Sequence, residues 1–201
     1  AGGVDITSGT LTLSFPSSSI GTILGTGCVD IASGTLAVNL PSSSTFNGSF
    51  TGSGGTFSIA PYSPSSTVTF TYGGNSNFGG DCVIAGSTTM VVAGPSSLGA
   101  FATCLIQSGG TLDASGLDPF VNIGGISGSG SLVLGSAEIS LNANYPTVYA
   151  GSISGKLTFA VQGVKVKGQR RYVSRSVAQI GETVSLFTVA VPLATLDRVI
   201  T

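Results

Sequence analysis

The sequence predicts an all-β chain wound as a parallel β-solenoid (β-helix) of about six to seven coils with a C-terminal β cap. Three observations predict it: a short unit that recurs along the chain, alternation of apolar and small polar residues within each unit, and the absence of any window with helical periodicity. Glycine supplies 31 of the 201 residues and recurs at every unit border, as the tight corners of a solenoid require.

The units can be taken in order. Val4-Asp5-Ile6-Thr7-Ser8-Gly9-Thr10-Leu11 returns as Val29-Asp30-Ile31-Ala32-Ser33-Gly34-Thr35-Leu36, and a Pro-Ser-Ser-Ser run follows both copies. Gly55-Thr56-Phe57-Ser58-Ile59, Thr89-Met90-Val91-Val92 and Gly110-Thr111-Leu112 are weaker copies. Glu138-Ile139-Ser140-Leu141 and Lys156-Leu157-Thr158-Phe159 keep only the apolar pair. The anchors at 10, 35, 56, 89, 111, 138 and 156 lie about 24 residues apart, enough for one coil each. The expected interior is then one column of Leu11, Leu36, Phe57, Met90, Leu112, Ile139 and Leu157. A second holds Leu13, Val38, Ile59, Val92, Ala114, Leu141 and Phe159. Thr10, Thr35, Thr56, Thr89 and Thr111 are expected outside as one ladder. Prolines such as Pro16, Pro41 and Pro61 follow the apolar pairs and mark corners. Steps of 18 to 33 residues between anchors leave a β-sandwich or jelly roll as the alternative fold.

The unit near the end of this body carries a family resemblance. Gly128-Ser129-Gly130-Ser131-Leu132-Val133-Leu134, then Asn144-Tyr145, then Gly151-Ser152-Ile153-Ser154-Gly155-Lys156-Leu157 resembles the passenger repeats of bacterial autotransporters. The likeness is best over residues 128–157, and Pro146-Thr147-Val148-Tyr149 departs from its spacing. It implies a right-handed parallel β-helix outside the cell and a role as adhesin or scaffold.

Cys28, Cys82 and Cys104 each precede an anchor threonine by seven residues, which predicts one cysteine column. Cys82 and Cys104 fall in consecutive units, at the strand spacing of about 4.8 Å that a disulfide spans, so they are the disulfide candidate. Cys28 is expected to stay unpaired, with Ser49 between it and the others.

Charge is sparse and segregated. Charged residues make up 7% of the chain, against about 25% in ordinary globular proteins. All seven bases stand at or after Lys156, while residues 1–155 carry six acids and no base. The chain is accordingly divided into a Gly/Ser/Thr-rich body, 1–163, and a basic β segment, 164–201, that caps the solenoid or associates with the acidic body of another copy. Lys165, Lys167, Arg170, Arg171 and Arg175 are the assembly candidates.

Chemistry is hard to find. Without a single histidine, His general-base catalysis, His-ligated metals and a Ser-His-Asp triad are excluded. Asp113 and Asp118 are the sole close carboxylates of the body, and both read more simply as strand and turn residues. Asp5 and Asp30 are expected to stack in adjacent coils. Two acids fall short of the oxygens a calcium site needs, so no metal and no cofactor is expected. Threonine pairing is too irregular for an ice-binding face. A net charge of -1 disfavours nucleic acid outside a viral coat, and no stretch reaches the roughly 18 apolar residues of a transmembrane helix. The expectation is a non-enzymatic extracellular structural or adhesive surface protein that forms a homo-oligomer or polymer. Binding or cutting of surface glycans, and a viral coat subunit, are the alternatives.

Overall fold

The computed structural model describes residues 2–14, 16–94, 101–117, 120–136, 138–141, 147–155, 158–161, 165–166, 169–170, 173–176 and 184–189. Every element among them is a strand. The first turn comprises β1 (Val4–Ile6), β2 (Thr10–Leu13) and β3 (Ser17–Ile20), and the second β4 (Ile23–Gly25), β5 (Cys28–Ile31) and β6 (Thr35–Leu40). β7 (Ser44–Phe46), β8 (Ser49–Gly52) and β9 (Thr56–Pro61) form the third, and β10 (Val68–Tyr72), β11 (Ser76–Phe78) and β12 (Asp81–Ile84) the fourth. β13 (Thr88–Val92) and β14 (Thr103–Ile106) belong to the fifth, and β15 (Thr111–Asp113), β16 (Phe120–Ile123) and β17 (Gly125–Gly128) to the next. β18 (Ser131–Gly135), β19 (Glu138–Leu141) and the long β20 (Thr147–Gly155) follow. β21 (Thr158–Val161), β22 (Lys165–Val166), β23 (Gln169–Arg170), β24 (Val173–Ser176) and β25 (Val184–Val189) end the series.

Strands of successive turns pair in parallel along three faces. One ladder runs β1-β4-β7-β10-β13-β15-β18, and another runs β3-β6-β9-β12-β14-β17; both end on β20. The third face holds β2-β5-β8-β11 and, separately, β16-β19. This is a parallel β-solenoid of about six turns, and the sandwich alternative falls because its strands would pair antiparallel. At the C-terminal edge β25 pairs antiparallel with β20.

The corners explain why the chain turns where it does. Ser-Gly-Thr occurs at Gly9 and Gly34, whose φ values of 81° and 87° suit glycine, and the threonine that follows each opens the next strand. Between corners, apolar and hydroxyl residues alternate, so every second side chain turns inward. Leu36, Val38, Phe57, Ile59, Met90, Val92, Leu112 and Ala114 are buried as expected, while Leu11 and Leu13 are half-buried. Leu157 lies outside the described residues, as do Asn144, Tyr145 and Pro146.

The expected column is, however, three columns. Leu11 pairs with Val29 on one face, Leu36 with Phe57 on a second, and Met90 with Leu112 on the third. Thr35–Thr56 and Thr89–Thr111 are true register pairs, yet they stand on different faces, and Thr10 pairs with Cys28. The cause is the near-equivalence of the sides. A turn takes 18 residues where Thr10 meets Cys28 and 21 where Cys28 meets Ser49, so the 25-residue repeat of the sequence spans one turn plus one side. The longest turn, from Ser44 to Phe70, holds an outward bulge after β9 that carries exposed Tyr62.

Aromatic rings cluster in the interior of the third and fourth turns. Phe50 lies 4.5 Å from Phe57 and 5.1 Å from both Phe46 and Tyr72, centroid to centroid, and Phe57 lies 5.7 Å from Phe70. These tilted contacts are the favoured geometries of ring pairs. Burial pushes the Tyr72 phenol well above its ordinary pKa, and its hydroxyl ends near Phe50 and Ser76 without a well-aligned hydrogen bond.

Candidate functional site

Cys82 and Cys104 are register partners on β12 and β14, as expected from the sequence, and both are fully buried. Cys82 Sγ also lies 3.9 Å from Met90 Sδ, so three sulfurs meet in the core. The neighbouring Cys104 sulfur, then burial, holds the Cys82 thiol well above the usual range. The single cysteine column is corrected. Cys28 is half-buried on β5, on another face, between Thr10 and Ser49, with its Sγ 3.4 Å from Thr51 Oγ1. All three are thiols in this structure.

Lys165, Arg170 and Arg175 stand on antiparallel strand pairs. β21 pairs with β24, and within that reversal β22 pairs with β23. Lys165 stands directly opposite Arg170, and Arg175 opposite Phe159. Lys167 and Arg171 lie outside the described residues. Between Glu138 and Glu182 the sequence holds six bases and no acid.

The acids are dispersed. Asp5 pairs with Leu24, whereas Asp30 sits between Thr12 and Thr51 on another face, so the two do not stack and the pairing expected from the repeat is corrected. Thr103 Oγ1 donates to Asp81 Oδ1, and Asp113 Oδ1 accepts from the Ser115 amide at 2.9 Å. Asp118 lies outside the described residues. Among the described residues no group of three His, Cys, Asp or Glu side chains could hold a metal ion. No described helix is long and apolar enough to cross a membrane.

Two surface features escape a reading by sequence repeat. One is a column of hydroxyls, Thr69, Thr89, Thr111, Ser131 and Ser152, stacked turn on turn along one face. Its last two members are joined by a 3.0 Å hydrogen bond from Ser152 Oγ to Ser131 Oγ. The other is the rung formed by β1, β2 and β3. Among the described residues each of these strands is paired on one side only, with β4, β5 and β6. Its inward residues Val4, Leu11, Leu13 and Ile20 are only partly covered, whereas their partners Ile23, Val29, Ile31 and Val38 are fully buried.

Together these features define a protein of the parallel β-solenoid class. No protein-family model, no characterised protein and no solved structure matches the chain.

Proposed function

We propose that this chain is a non-enzymatic structural or adhesive protein of a cell surface, related in kind to autotransporter passengers. It acts by shape and by association between copies into a fibre or surface layer. The observation that carries this reading is the parallel β-solenoid itself, whose stacked turns present a column of hydroxyls, Thr69, Thr89, Thr111, Ser131 and Ser152, on a body with no base before Lys156. The partner is a second copy, since the acids of residues 1–155 complement the bases from Lys156 onward, as a head-to-tail contact that does not close on itself would use them.

Analytical ultracentrifugation and negative-stain microscopy test this over a range of protein and salt concentrations. Linear oligomers are expected, weakened by salt and by Lys165→Glu with Arg170→Glu. A particle that stays monomeric at high concentration and low salt overturns the proposal. Tyr62, 64% exposed on the bulge after β9, supports glycan binding as the second reading. Loss of polysaccharide binding in Tyr62→Ala, with assembly intact, would favour it.

A further inference from the structure

On the face that holds β2-β5-β8-β11 and β16-β19, no described strand joins β11 to β16. The start of β14 is held against the fourth turn by the Ala102 amide on the Gly80 carbonyl, 3.0 Å, and by Phe101 packed edge-on against Phe78 at 5.8 Å. β14 pairs with β12 of the fourth turn, and Cys82 and Cys104 face each other in that pair.

We propose that Cys82 and Cys104 form a disulfide that staples the fourth turn to the fifth by joining β12 to β14. Neighbouring parallel strands lie about 4.8 Å apart, inside the roughly 4.4–6.8 Å Cα window of protein disulfides. Both side chains point to the interior and their sulfurs are neighbours there, so closure is chiefly a change of side-chain torsion. Met90 fills the remaining space beside the pair. An oxidising compartment, as a surface protein meets, supplies the oxidant as a low-molecular-weight disulfide. In the balanced step the two thiols lose two protons and two electrons as the S–S bond forms. Glutathione disulfide accepts both and leaves as two molecules of glutathione.

The bond forms while the chain folds, before the turns close over it. In the folded molecule both sulfurs are inaccessible, and the Cys82 thiolate is disfavoured by the neighbouring Cys104 sulfur and then by burial. The staple is therefore structural, and reductant reaches it only after local opening. Cys28, half-buried on another face, takes no part.

The test is refolding of the denatured, reduced full chain in glutathione and glutathione disulfide, followed by alkylation under denaturing conditions and mass spectrometry of a non-reduced digest. One linked peptide pair containing Cys82 and Cys104 is expected, with Cys28 alkylated. The oxidised protein is expected to melt about 5–10 °C above the reduced one, the effect of closing a loop of this size in a chain of this length. Cys28→Ser keeps that difference, and Cys82→Ser or Cys104→Ser removes it. The comparison of oxidised with reduced native chain stands even if a serine variant fails to fold. Alkylation of all three cysteines, or any link that includes Cys28, overturns the assignment. A Cys82–Cys104 link without a change in melting temperature overturns the stapling role.

Discussion

Leu36 on β6 and Phe57 on β9 are register partners in successive turns, and neither side chain is reached by solvent. Phe57 in turn touches Phe50 and Phe70, so Leu36 stands at the end of a ring cluster with little room to relax. Leu36→Ala leaves a cavity there and is expected to cost about 2–5 kcal/mol, read by denaturant unfolding. A loss below about 1 kcal/mol would mean that the interior is not close-packed at this turn.

Ser87 has φ 59°, alone among the described non-glycine residues in the left-handed region. It turns the chain between β12 and β13, and its amide donates to the carbonyl of Gly109, which takes φ 77° at the matching corner one turn on. A Cβ in this region costs about 1–2 kcal/mol, partly offset by the extra freedom of an unfolded glycine. Ser87→Gly is therefore expected to raise stability by about 0.5–1 kcal/mol, and Ser87→Val to lower it, in thermal melts.

Gly52 closes β8 at φ 121°, and a Cβ added there would lie 2.1 Å from the Ile31 carbonyl of the preceding turn. Backbone cannot yield at that distance without parting the turns. Gly52→Ala is expected to cost more than about 3 kcal/mol or to abolish folding, while Gly54→Ala, whose Cβ would meet nothing nearer than 3.7 Å, is expected to be tolerated. Equal behaviour of the two variants in circular dichroism and melting would contradict the stacking of these turns.

Two buried phenols set an alkaline limit. Burial raises the pKa of Tyr72 and Tyr149 above their ordinary value, and the Tyr149 hydroxyl donates to the Gly130 carbonyl at 2.8 Å. Above about pH 10 the unfolded chain releases these protons and the folded chain keeps them, so the unfolded state binds fewer protons and stability falls as pH rises. Their contribution is fully present below that pH. Tyr149→Phe is expected to weaken the alkaline loss measured by unfolding between pH 8 and 11, values chosen to bracket a tyrosine pKa of about 10.

The sequence by itself determined the material of the solenoid. Alternation in Thr35-Leu36-Ala37-Val38 marks which side chains turn inward, Ser-Gly-Thr marks corners, and the spacing of Cys82 and Cys104 makes them neighbours in successive turns. These are local properties, since strand alternation and a left-handed glycine depend on residues close in the chain. The tertiary structure alone decided the register. Each side of the solenoid is built alike, so Val4-Asp5-Ile6 and Val29-Asp30-Ile31 match in sequence although they stand on different faces, and Cys28 falls away from the other two cysteines. Which strand stacks on which depends on how the whole turn fills its interior, where Phe46, Phe50, Phe57 and Tyr72 meet from separate strands. Packing among distant residues sets the length of a turn, and a repeat whose sides are interchangeable cannot encode that length in its own period.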